Sequence, residues 1–155
     1  MKKLSTYLLC FVLFTSAVSA QTSGKAQEEN KAYTGAKATK SEYHAIYQLD
    51  TNDPKIIGKA FRNINNALND SRLTGKLKIE LITFAGGTEV CVKGSAYEND
   101  LKELVEKGVI VAQCGNSLKE RKIDVSQIYD FMAVVPSANG ELIIRAGEGW
   151  VIIKP

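Results

Sequence analysis

Between Tyr43 and Pro155 the chain alternates short, β-branched apolar runs with stretches whose apolar residues recur every 3.6 positions, and few folds accept that alternation. Tyr43 to Leu49 reads as a first strand. Asp53 then caps a helix with Pro54 in its first position, and Ile56, Ile57, Ala60, Phe61, Ile64, Ala67 and Leu68 fall on one face. Leu77 to Phe84 is a second strand, apolar enough to be covered on both faces. Ala85-Gly86-Gly87-Thr88 breaks it, and Ser95 with Glu98 has the spacing of a capping box for a helix that stops at Gly108. Val109 to Cys114 is the third strand, Leu118 to Lys122 a short basic helix, and Met132 to Val135 the fourth strand. Pro136-Ser137 opens a last helix to about Ala146, and Trp150 to Ile153 closes the sheet. Short connections force right-handed crossovers, so the sequence predicts an α/β three-layer sandwich around a mostly parallel sheet of about five strands.

The segment before this domain has a different character. Lys2 and Lys3 precede the apolar run Leu8 to Phe14, which ends in small residues up to Val18-Ser19-Ala20. This is the pattern of a secretory signal peptide over residues 1–20, cleaved after Ala20, and the apolar run is too short for a membrane span. Residues 21–40 hold scarcely any large apolar side chain and read as a flexible polar tether, leaving 41–155 as the folded domain. The expected location is therefore an exported one, a bacterial periplasm, with no stable membrane span after processing. The whole chain has 20 basic and 17 acidic side chains, and removal of Lys2 and Lys3 leaves a near-neutral protein. No basic stripe interleaved with aromatics occurs, which argues against nucleic acid as a partner.

The mature chain keeps two cysteines, Cys91 and Cys114. Cys114 ends a strand and leads through Gly115, Asn116 and Ser117 into a helix start, where free amides carry about half a positive charge. Lys119, Arg121 and Lys122 add full charges. Both effects favour thiolate, the nucleophilic form, and Gly115 leaves room for close approach. A buried, inert thiol is the alternative for Cys114. Cys91, between two valines, is either a resolving thiol for Cys114 or buried filler. His44 stands alone in a strand, so spacing supports neither a metal site nor a Cys-His dyad, and no cofactor is called for. Asn63, Asn65 and Asn66 crowd the first helix, either on a solvated face or at a subunit interface. Gly86-Gly87 lacks the residues of a phosphate cradle and reads as a turn.

Gly108-Val109 through Cys114-Gly115-Asn116-Ser117-Leu118, then Val134-Val135-Pro136-Ser137 and the closing Ile152-Ile153-Lys154-Pro155, resemble the sulfur-relay DsrE/DsrF-like family. Asn63-Ile64-Asn65-Asn66 and Lys93-Gly94-Ser95 fit the same pattern. The resemblance implies a persulfide carried on Cys114, sulfur donor and acceptor proteins as partners, and assembly into a homotrimer or homohexamer. The expected export signal departs from the cytoplasmic relay members, so no particular donor or acceptor carries over. Two function classes follow: a sulfurtransferase-like carrier using Cys114, and a non-catalytic oligomeric module of the same fold that binds a small ligand or a protein.

Overall fold

The computed structural model describes residues 24–155, so the signal-peptide reading of 1–20 lies outside the described residues. The chain divides into two units at Lys37, the second being Ala38–Pro155. In the first, residues 24–32 form an exposed helix where the sequence reads as an irregular tether. Its Ala, Glu, Gln and Lys residues favour helix, and Lys25 and Glu29 pair one turn apart at 3.8 Å.

The second unit is built on five parallel strands: β1 (Tyr43–Leu49), β2 (Leu77–Thr83), β3 (Ile110–Cys114), β4 (Ala133–Val135) and β5 (Val151–Ile153). They lie in the order β4-β3-β2-β1-β5. Four helices connect them: α1 (Pro54–Leu68), α2 (Glu98–Glu106), α3 (Gly115–Arg121) and α4 (Ala138–Gly147). From β1 to β4 each crossover steps the same way across the sheet, whereas α4 returns the chain past them to pair β5 with β1. Right-handed crossovers in opposite directions must lie on opposite faces. The side chains agree. Ala45, Tyr47, Leu49, Ile79, Leu81 and Val111 pack with α1, α2 and Leu118 of α3 in one core cluster. Ile46, Ile82, Ala112 and Cys114 alternate to the other face and meet Ala138 and Leu142 of α4.

Local signals explain most boundaries. Asp53 accepts the Lys55 amide at 2.8 Å and Pro54 starts α1, as expected. Gly108 takes φ 84° after α2, a conformation that suits glycine. The capping box at Ser95 does not form: the Ser95 hydroxyl donates to the Val90 carbonyl at 2.7 Å, and α2 begins at Glu98 without a side-chain cap. Helix α3 also differs from expectation. It starts at Gly115, directly at the end of β3, and not three residues later.

The exit of β2 is the tightest place in the fold. Gly86 and Gly87 open a 3-10 segment, Ala85–Cys91, that lies against the end of β1. A Cβ on Gly87 would stand 2.1 Å from the Leu49 carbonyl oxygen, and one on Gly86 3.1 Å from the Asn52 nitrogen. Glycine is required here by backbone contact, which brings the loops behind β1 and β2 together at the edge where β3 and β4 also end.

Candidate functional site

Strands β3 and β4 are neighbours, but β3 leaves to α3 on one face and β4 to α4 on the other. At such a divergence the helix starts splay apart and leave a crevice at the carboxyl ends of the strands. Cys114 occupies that position. It pairs with Val135 across the ladder, precedes α3 directly, and is 4% exposed.

The Cys114 sulfur accepts the amide of Ala138, the first residue of α4, at 3.2 Å. Ser137 caps that helix through its hydroxyl, which accepts the Gly140 amide at 3.3 Å. The sulfur therefore lies where two helix starts meet. Burial pushes the thiol's pKa up, but the Ala138 amide, the Ser117 amide and hydroxyl, and the Asn116 amide act against it. The balance falls below the ordinary cysteine value. Ser117 is buried, and its oxygen accepts the Ala85 amide at 3.0 Å. Ala85 holds φ 45°, in the left-handed region that side chains seldom adopt, with its amide turned to Ser117.

The basic residues lie toward the other end of α3. Lys119 and Arg121 fall in the last turn of α3, where cations suit the negative end of a helix. Arg121 is ion-paired to Glu89, which also accepts from Asn52 at 3.1 Å. Gly115 serves packing: a Cβ there would meet the Val135 carbonyl oxygen at 3.1 Å, so the close approach it permits is by the chain's own β4. Asn116 is exposed and, with Lys119, lines a groove of about 510 Å³ between α3 and β4, floored by Leu118, Ile123 and Val134.

Cys91 is not brought to this site. Its side chain is 0% exposed in the core cluster of the opposite face, and both thiols are free. Burial pushes the Cys91 thiol up to about 12, despite a contact to Thr83 at 3.0 Å. His44 contacts Glu42 at 2.8 Å and the Trp150 ring at 4.9 Å, and among the described residues no three His, Cys, Asp or Glu side chains cluster as metal ligands. Two contributors escaped the sequence reading, Ala138 and Ala85, because each acts through its backbone amide. Pro136-Ser137 after a strand next to β3 was the one signal for Ala138.

Residues 44–155 match the DsrE/DsrF-like family, with the strand, cysteine and helix starts described above inside the match. The chain belongs to the DsrE/DsrF-like family. Among solved structures it is similar to MTH1491 from Methanobacterium thermoautotrophicum, a protein of unknown function. The two are 27% identical with a TM-score of 0.70, over 74% of this chain and 100% of the other. It shares its fold with BT1422 from Bacteroides thetaiotaomicron, at 13% identity and TM-score 0.60 over 76% and 99% of the two chains. The same holds for the ychN protein from E. coli, at 14% and 0.58 over 74% and 99%. No curated protein matches the chain. Family membership points to sulfur relay at the level of the family.

Proposed function

We propose that the protein carries sulfane sulfur as a persulfide on Cys114 and passes it to a partner protein. One observation carries the reading: within a family associated with sulfur relay, the Cys114 sulfur accepts an amide from the start of α4 while standing at the start of α3. Such an environment stabilises the thiolate before reaction and a charged outer sulfur after it. In the loading step the Cys114 thiolate attacks the outer sulfur of a hydropersulfide, R–S–SH. A bond forms from Sγ to that sulfur, the donor S–S bond breaks, and R–S⁻ leaves with the electron pair, giving Cys114–S–SH. In unloading, an acceptor thiolate attacks the outer sulfur and Cys114 departs as thiolate, so no external oxidant or reductant is consumed.

The reading extends to an exported protein, released by cleavage after Ala20, that works as a homotrimer or homohexamer. Support for export is the pattern of residues 1–20, and for assembly the exposed apolar side chains Ile143 and Ile144 on α4 with Ile152 on β5. A second reading, a non-catalytic oligomeric binding module, is favoured by the near-complete burial of Cys114 beside an open groove. Intact-mass analysis after exposure to a sulfane sulfur donor separates them. A carrier gains sulfur that Cys114→Ser abolishes, and a binding module gains none.

A further inference from the structure

Behind the Cys114 turn lies a set of polar side chains closed to solvent: Thr83, Thr88, Cys91 and Gln113 are all fully buried. Burying such groups is unfavourable unless each finds a partner, and among the described residues no buried side-chain polar atom lacks one. The direction of the hydrogen bonds can be assigned from Gln113. Its Nε2 lies 3.0 Å from the Cys114 carbonyl oxygen and 3.1 Å from Thr88 Oγ1. A carbonyl only accepts, so the amide nitrogen must face it, and the reverse orientation would set two acceptors together. Gln113 Oε1 then faces Thr83 Oγ1 at 2.7 Å and takes the larger share of its proton, the Ala112 carbonyl being the second acceptor at 3.0 Å; both of these partners only accept. With that proton committed, Thr83 Oγ1 can only accept from the Cys91 thiol at 3.0 Å.

The bonds thus run one way, from the Cys91 S–H to Thr83, from Thr83 to Gln113, and from Gln113 to the carbonyl of Cys114. We propose that Gln113 is a positioning residue for Cys114, held in one orientation by a hydrogen-bond chain that begins at the Cys91 thiol. The Cys114 carbonyl belongs to the peptide that joins β3 to α3. Fixing that peptide fixes the amides of Asn116 and Ser117 relative to the sulfur. Thr88, the other Gln113 partner, lies in the same 3-10 segment as Ala85, whose amide orients the Ser117 hydroxyl. Cys91 accordingly acts on the site from the opposite face of the sheet, as a hydrogen-bond donor and not as a resolving thiol.

The inference rests on Cys114 being the reactive thiol of the proposed function. Its test is the pH dependence of Cys114 alkylation by iodoacetamide in the full domain, with the site assigned by peptide mass. Gln113→Met should raise the pH midpoint by about half a unit, roughly a threefold loss of thiolate below it. Cys91→Ala should shift it the same way by less, and Cys91→Ser, which keeps a donor, should return it to the wild-type value. A merely structural role would lower the unfolding midpoint and leave the pH midpoint in place. Folded Gln113→Met and Cys91→Ala proteins with wild-type midpoints would overturn the proposal. Should Gln113→Met not fold, the Cys91→Ala and Cys91→Ser pair decides by the same criterion. The readout needs no sulfur transfer, so a protein that never accepts sulfane sulfur yet shows these shifts contradicts only the carrier reading.

Discussion

A methyl group at position 87 has no room, because its carbon would stand 2.1 Å from the Leu49 carbonyl oxygen. Relief requires the β2 exit to move, and with it the Ala85 amide that orients Ser117. Gly87→Ala should cost about 3 kcal/mol in urea unfolding, the upper range for overpacking, whereas Gly147→Ala, with open space around it, should change stability little. At the same scale the two thiols should separate sharply. Amide donors hold the Cys114 pKa below the ordinary value while burial drives Cys91 up to about 12. Cys114 should therefore alkylate at least roughly tenfold faster than Cys91 at neutral pH in the native protein. Equal rates, or a Cys114 inert until denatured, would contradict this. Cys114 was legible in the sequence because its signal is local, a strand followed by Gly-Asn-Ser and a helix. Ala138 was not, since a backbone amide 24 residues away leaves no side-chain trace. Gln113 was hidden for another reason: inside an apolar strand a single polar residue shows its partners only once the loop behind β2 is folded over it.

Helix α4 is held at both ends. Its first amide lies on Cys114, and near its last turn Arg145 reaches Glu80 at 2.8 Å, Glu141 at 3.0 Å and Glu148 at 3.2 Å. The Arg145 guanidinium also lies over the Trp150 ring at 4.2 Å. Glu80 is 1% exposed, and burial raises its carboxyl pKa while Arg145 opposes the rise. Arg145→Met removes that opposition, so the folded state holds a proton on Glu80 at a pH where the unfolded state has lost it. The variant's stability then falls as pH rises through and above the carboxylate range. Thermal unfolding should show a loss of about 3 kcal/mol near pH 8 and a smaller one near pH 5, with Glu80→Gln restoring part of it in the double variant. A loss independent of pH would remove Glu80 from the account. Among the elements, the bounds of β1 and the start of α1 were readable to the residue, the latter because Asp53-Pro54 is an unambiguous start. The Ser95 box failed because the side chain is held away from the helix start, donating to the Val90 carbonyl and meeting the Tyr129 hydroxyl at 3.1 Å, the latter a tertiary contact that local pattern does not encode. The immediate start of α3 was missed because Gly115 looks like a turn residue, while its role is close packing on β4.

At the scale of the Ala38–Pro155 unit, three of its helices cover one face of the sheet and one, α4, covers the other. A five-stranded sheet is about 19 Å across between its outer strands and one helix about 10 Å wide, which leaves apolar surface open beside α4. Ile143 is 73% exposed there and Ile144 58%, with Ile110 and Ile152 on the same side of the sheet. Light scattering at micromolar concentration should report a trimer or hexamer, and Ile143→Glu with Ile144→Glu should dissociate it while the domain stays folded. Monomer at every concentration would contradict the assembly. The parallel run of the strands was implied by the alternation of elements, but the divergence of β3 and β4 was not, because it needs α4 on the face opposite α3. The unequal cover of the two faces depends on the reversal at β5, which alternation alone does not fix. The central claim is that Cys114 at that divergence holds sulfane sulfur. Its most direct test is the intact mass of the purified protein after a brief exposure to a small organic hydropersulfide, followed by peptide mapping. The account predicts one added sulfur, about 32 Da, on Cys114, absent in Cys114→Ser and retained in Cys91→Ser. An unchanged mass under conditions that persulfidate a free thiol, or sulfur found on Cys91 alone, would contradict it.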